Sequence, residues 1–209
     1  ENRITLKAEA MFFRANAYMH LAHIFGGVPL VLEEITEPKR DFIRASRQET
    51  YAQAISDAEF AAANLPTVNN VAEDGRISNA AANHLLAELY IATGDYDKAI
   101  ARASAVIDDP NFELMTTRFG SRMNEPGDVY WDLFRRDNQN RETYGNTEAI
   151  WVAQYEYNIT GGGRGWNLPQ FGLPFYAGLK DTADVLLFGA GFSQYGGRGI
   201  GFFQPSDYL

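Results

Sequence analysis

Few residues in this sequence are placed to do covalent chemistry, and a search for them narrows the function quickly. A nucleophilic serine needs a neighbouring base and a pair of oxyanion donors, and no Gly-x-Ser-x-Gly elbow is present. No phosphate-cradling loop is present either: "GGRGIG" at 196–201 has neither the required glycine spacing nor a helix signal after it. His20 and His23 lie three apart on one helical face, but no third nitrogen or carboxylate stands at a matching spacing. Helix packing or plain surface is the better reading of that pair, and no metal is expected. Asp128, Asp132, Asp137, Glu142 and Glu148 gather around Tyr130 and Trp131. Glycoside hydrolysis needs two carboxylates facing across a cleft, but acidic residues near aromatics are common on any surface. The hydrolase reading stays the weaker one. No cofactor is expected, and nothing commits the chain to catalysis.

The residues suited to holding a ligand are aromatic. "EAIWVAQYEYNITGGGRGWN" at 148–167 carries Trp151, Tyr155, Tyr157 and Trp166 together with a glycine triplet and an arginine. Flat CH faces of sugar rings pack on aromatic faces, while their hydroxyls exchange hydrogen bonds with Asn, Gln, Asp and Arg. Tyr157 precedes Asn158, and Trp166 sits between the Arg164–Gly165 pair and Asn167. Glycines let such a loop turn sharply and let a ligand approach the backbone. The candidate ligand-binding residues are therefore Trp166, Tyr157, Asn158, Arg164 and Asn167. The competing reading makes "AIWVAQYEY" an alternating strand, with Trp151, Ala153, Tyr155 and Tyr157 facing helices. Trp151 and Tyr155 fit that structural role better, whereas ligand contact and packing stand level for Trp166. Asn158-Ile159-Thr160 also matches a glycosylation acceptor, which matters only in a eukaryotic secretory setting.

What must position these residues is written in the first half. The chain has 209 residues, 45% hydrophobic and 22% charged, with a net charge of -9. That is enough for one large core or two small ones. The acidic balance and the absence of any basic run exclude a nucleic-acid surface. Cysteine is absent, which removes disulfides, thiolate catalysis and cysteine zinc sites together. No apolar run approaches the ~18–20 residues of a membrane span, and the start has no signal-peptide pattern.

Glycine divides the chain: seven of 19 precede residue 161 and 12 fall between Gly161 and Gly201. The front reads as helices and the back as loops and short strands. Leu6, Ala10, Phe13, Ala17, Leu21 and Ile24 recur at three- and four-residue steps and predict a helix over 5–25, widened by Phe12, Tyr18, Met19 and Phe25. Gly26-Gly27 ends it and Pro29 forbids its resumption. Ser46 and Glu49 form a capping box for a second helix, with Tyr51, Ile55, Ala58, Ala62 and Leu65 as its apolar face and Pro66 as its stop. A third helix spans 79–93 and a fourth about 96–107. "AAANHLLAELYIATGDYDKAIARASAVIDDP" has tetratricopeptide spacing, with Leu86, Ala87, Tyr90, Gly94, Tyr96 and Ala99 in register. Such pairs cannot bury their faces alone and must stack. The fold class is mainly α: tetratricopeptide-like helix pairs forming a scaffold over 1–110, then an irregular Gly- and aromatic-rich segment with short strands over 111–209.

In order along the chain, "AEAMFFRANAYMHLAHIFGGVPLV", Arg44 with Ser46 and Tyr51, Asp57, Leu65-Pro66, Gly75-Arg76-Ile77, Gly94-Asp95-Tyr96, "NTEAIWVAQY" and the closing "QPSDYL" resemble the SusD/RagB family. The likeness is best over residues 5–160. It implies a non-catalytic glycan-binding lipoprotein on the surface of a Gram-negative outer membrane. Its partner would be a SusC-like TonB-dependent porin that imports the captured oligosaccharide, and its membrane attachment a lipid anchor outside these residues. Family members are far longer, so the sequence is expected to be a partial chain. No binding residue carries over by motif; the candidates above rest on the local argument. A second reading keeps the helix pairs as a tetratricopeptide-type protein-interaction module, with a peptide in the repeat groove and no glycan site.

Overall fold

A computed structural model describes residues 2–135, 138–154 and 180–185. Four helices of ordinary length come first: α1 (Arg3–Phe25), α2 (Arg47–Asn64), α3 (Asn79–Thr93) and α4 (Tyr96–Ile107). A 3₁₀ turn at Val68–Asn70 lies between α2 and α3, and two short helices follow, α5 (Val129–Leu133) and α6 (Arg141–Tyr144). The architecture is α-helical, and the α3–α4 hairpin has the packing that the repeat spacing predicts. α1 packs on α2, α2 on α3 and α3 on α4, whereas α1 and α3 barely touch. That sequence of contacts is a stack of helices with an open angle between α1 and α3.

Capping chemistry sets the helix bounds. The Asn2 side chain accepts from Ile4 N. Ser46 Oγ accepts from Glu49 N at 3.1 Å while Ser46 N donates to Glu49 Oε2 at 2.7 Å, so the capping box is closed in both directions. Gly94 has φ of 82°, a left-handed turn that a residue with a Cβ adopts only under strain, and it lets α4 double back on α3.

The stack is packed on alanine. Ala8, Ala15, Ala22, Ala54, Ala58, Ala61 and Ala82 are all fully buried, around Phe12, Tyr51, Leu86 and Leu89. Small side chains let helix axes approach, and the larger ones fill the gaps between them. The buried stripe of α1 is Ala8, Phe12, Ala15, Met19 and Ala22, not the one led by Leu6, Phe13, Leu21 and Ile24. Those four are exposed, Ile24 by 72%. Both stripes have helical spacing, and the close approach of α2 selects the one built on alanine.

Charged pairs fasten helix to helix where the apolar stripes end. Arg14 of α1 binds both carboxylate oxygens of the buried Asp57 in α2, at 2.6 and 2.7 Å. Arg76 reaches back to Glu9 at 2.7 and 2.8 Å. Arg44 donates to the carbonyls of Phe25 and Gly27 and closes the base of the long 26–45 connection. Tyr90 donates to Glu59 at 2.6 Å, and burial together with that carboxylate pushes the phenol up to about 12. Arg14, Arg44, Asp57, Arg76 and Tyr90 thus act as inter-element fasteners.

The chain divides into two compact units, Glu1–Gln154 and Tyr155–Leu209. In the second, described at 180–185, Asp181 accepts from the backbone N–H of Ala183 and Val185, and Lys180 pairs with Asp184 at 2.8 Å. Within 149–154 the backbone is irregular rather than a ladder-paired strand.

Candidate functional site

Tyr157, Asn158, Arg164, Trp166 and Asn167 lie outside the described residues, as does Tyr155. What the structure describes is the anchor from which the chain leaves for them, and a second aromatic surface that the sequence reasoning did not single out for binding.

The anchor is Glu148–Gln154. Ile150 packs against the helical core. Trp151 sets its ring edge-on to Phe12 and Phe13 at 5.9 and 6.1 Å, and its indole N–H donates to the Gly75 carbonyl at 2.9 Å. The residue is 36% exposed yet fixed on both its apolar and polar sides, so its role is structural. Gln154 donates to Asn140 at 2.8 Å. The segment lies across the opening between α1 and α3, the place where a helical repeat would offer a groove. What remains there is a cleft of about 370 Å³ lined by Phe12, Asn16, His84, Glu88, Glu148 and Trp151, among others.

Behind the anchor runs a relay of polar groups. Glu148 accepts from Met115 N at 3.0 Å, and Asn146 accepts from the N–H of Glu148 and Ala149 at 3.1 Å each. The Asn146 amide donates to the Asn138 carbonyl at 3.1 Å, and the Asn138 amide donates to the Asp132 carbonyl at 2.9 Å. Asp132 in turn holds Arg118 at 2.5 Å and accepts from Phe119 N at 3.2 Å. Asp132, Asn138 and Asn146 are buried, and every one is hydrogen-bonded, as burial demands. The Arg118 hydrogen bond holds the Asp132 carboxyl below the usual aspartate range, helped by the Phe119 N–H and opposed by desolvation. A general acid needs the opposite displacement. Asp132 is thus a structural ligand of Arg118 and unsuited to donating a proton. Asp128 is likewise engaged, capping α5 by accepting from Trp131 N at 2.8 Å. Asp137 lies outside the described residues.

This hub carries an exposed aromatic face. Arg135 stacks over the Trp131 ring, 3.1 Å from guanidinium carbon to ring centre, and Arg118 approaches the same ring at 5.9 Å. A Cβ at position 127 would meet the Trp131 ring at 2.7 Å, so glycine there is what allows the chain to pass. Tyr130 and Phe134, one helical turn apart, stand edge to face at 5.0 Å and are 68% and 69% exposed.

His23 rests Nδ1 on the Met19 carbonyl at 2.9 Å and its ring edge on Tyr51, in keeping with a packing role. Among the described residues, no group of three or more His, Asp or Glu is placed to hold a metal ion, and no helix is long and apolar enough to cross a membrane.

With this geometry in view, the relatives are informative. Residues 1–91 match the family model of SusD-like proteins described as "Starch-binding associating with outer membrane". Over these residues the chain is similar to the SusD/RagB family. SusD-like protein P2 of Formosa agariphila is 29% identical over 168 residues, covering 79% of this chain and 30% of its own length. A SusD-like carbohydrate-binding protein of Bacteroides fragilis superposes with a TM-score of 0.64 over 80% of this chain and 29% of its own, at 24% identity, which speaks to fold. A structure solved with a xylogluco-oligosaccharide superposes with a TM-score of 0.56 at 25% identity, over 73% of this chain and 30% of its own. The SusD-like chain therefore spans less than a third of the length of these relatives.

Proposed function

We propose that this SusD-like chain belongs to a non-catalytic glycan-capture protein, which binds oligo- or polysaccharide at the cell surface and passes it to a TonB-dependent outer-membrane transporter. Attachment is through a lipid anchor outside these residues. The family description and the oligosaccharide-bound relative support this reading over an enzyme. Trp166 and Tyr157 supply stacking faces, and Asn158, Arg164 and Asn167 supply hydrogen bonds to hydroxyls.

One observation favours it over a peptide-binding repeat module. Ile150 and Trp151 already occupy the opening between α1 and α3, packed on Phe12 and tied to Gly75. A peptide in that groove would have to displace them. The helices serve here as a scaffold that fixes where the chain departs at Gln154.

Isothermal titration of the full-length protein against soluble starch, xyloglucan oligosaccharides and a wider polysaccharide panel tests the proposal. Saturable binding without release of new reducing ends is expected. Trp166→Ala and Tyr157→Ala should each weaken binding by about 1–3 kcal/mol, by analogy with base stacking on protein aromatics. Silence across the whole panel would sink the glycan reading, and turnover of any bound glycan would sink the non-catalytic one. A tagged full-length protein is expected to co-purify with a TonB-dependent transporter from solubilised outer membranes.

A further inference from the structure

We infer that Tyr130 and Phe134 form a second sugar-stacking platform, separate in sequence from residues 157–167, which takes a pyranose ring of a bound glycan; this rests on the glycan-capture reading above. The two rings border a surface hollow of about 640 Å³ lined by Gly127, Asp128, Tyr130, Trp131, Phe134 and Arg135. Each ring is more than two-thirds exposed. Two adjacent aromatics held out in water at fixed positions are costly surface, and such patches mark contact sites.

The composition of the hollow selects the occupant. A lipid tail or a protein core would call for a broad apolar patch, and here the rings are bordered at once by a carboxylate and a guanidinium. A pyranose offers both complements: an axial CH face for a ring, and equatorial hydroxyls that donate to a carboxylate and accept from a guanidinium. Tyr130 also carries a phenol hydroxyl able to exchange hydrogen bonds with a sugar. The edge-to-face angle of 62° between the rings forms a corner rather than a flat wall, suited to a chain that bends from one sugar to the next.

The platform is also held before any ligand arrives. Asp128 caps α5, the buried Asp132 ties it to Arg118, and Arg118 donates further to the carbonyls of Arg122, Glu125 and Gly127 at 2.8–3.0 Å. Arg135 and Gly127 pin Trp131, which lines the same hollow. Ordering entropy that opposes ligand binding elsewhere is therefore already spent in folding.

The test uses the full-length protein, with soluble starch and xyloglucan oligosaccharides as probes. Titration of the wild type and of the Tyr130→Ala/Phe134→Ala double variant is expected to show affinity for the better of the two probes reduced roughly tenfold or more. Because a fold change could mimic that loss, hydroxyl-radical footprinting of the wild type supplies a second readout. Tyr130 and Phe134 should be oxidised in the free protein and protected at saturating glycan. If the wild type binds neither probe nor any of the wider panel, the glycan-capture reading itself fails. If the wild type binds while the double variant binds equally well, or the rings stay unprotected, the platform alone is overturned. Rings that resist oxidation without ligand are already covered by other parts of the protein, and that also overturns the platform.

Discussion

Residues 3–107 bury alanine against alanine, with the carboxylate of Asp57 paired to Arg14, whereas residues 111–154 rely on a buried carboxylate and two carboxamides with a single buried hydrophobic residue among those described. In the helical part, the backbone satisfies its own hydrogen bonds, so the interior can be apolar and the helices need only fit. In the following segment, α5 and α6 are a turn or so long and most backbone groups have no repeating partner. Asp132, Asn138 and Asn146 supply those partners from the inside, and Phe119 is the one buried hydrophobic residue described beyond α4. The difference teaches how an irregular loop is given a fixed shape without a core: fully satisfied polar groups take the place of interlocking side chains. It also leaves Tyr130 and Phe134, freed from core duty, facing water.

The largest effect expected of this contrast lies in the helices. Leu89 is fully buried in α3, at the centre of the stack. Leu89→Ala should cost about 2–5 kcal/mol, the transfer energy of the lost methyl groups plus the cavity left behind. Denaturant unfolding followed by helical circular dichroism should show the loss across the whole helical signal. A midpoint that hardly moves would mean that the alanine stack is loose there and would weaken the contrast at its root.

A more local effect should follow from Asp132→Asn, which removes the charge facing Arg118 and leaves the shape. Amide exchange is expected to quicken over 115–148 while protection within α1 to α4 holds. The pH dependence has a definite sign. The Asp132 carboxyl is held low in the folded protein, chiefly by Arg118. Its contribution is therefore fully present above the ordinary aspartate range, about pH 4, and is lost as pH falls further through its lowered value. Wild-type protection over 118–138 should fade on that acid side, and the Asn variant should lack the fading. Equal damage to helices and loops would show that the two regions unfold as one and erase the comparison.

The same division decided what could be read from sequence. Helix positions follow from spacing and caps, so α2, α3 and α4 sit where Ser46, Gly94 and the alanine-rich run place them. The face of α1 did not follow, because two stripes of equal spacing compete and only the neighbour's distance chooses between them. In 111–154, neither the Arg118–Asp132–Asn138–Asn146 relay nor the Tyr130–Phe134 corner has a period to detect. The carboxylates around Tyr130 and Trp131 stood out from sequence as possible hydrolytic groups, yet Asp128 and Asp132 turn out to be spent on a cap and an ion pair. A hint was available: Asp128 lies three residues before Trp131, a capping distance. Trp151 was legible as structure from its alternating neighbours, although its partners, Phe12, Phe13 and the Gly75 carbonyl, come from far away in the chain.

The smallest expected effect sharpens the comparison most finely. Ser46→Ala deletes one half of the α2 capping box, and removing such a cap typically costs about 1 kcal/mol. The backbone around it is also where the long 26–45 connection returns, with Ala45 N bonded to the Val28 carbonyl at 3.2 Å and the Thr50 hydroxyl to the Ser46 carbonyl at 2.9 Å. Fraying there could stay confined to the connection or pass into the stack. Because α2 is packed between α1 and α3, the cost should be shared by all four helices, with amide protection in each reduced by the same factor of roughly five. Protection over 118–138 should not change, since its bonds run to Asp132 and Asn138 and not to α2. A loss limited to 26–50 would show the connection unfolding on its own, and the cooperative unit would then be smaller than the helical stack.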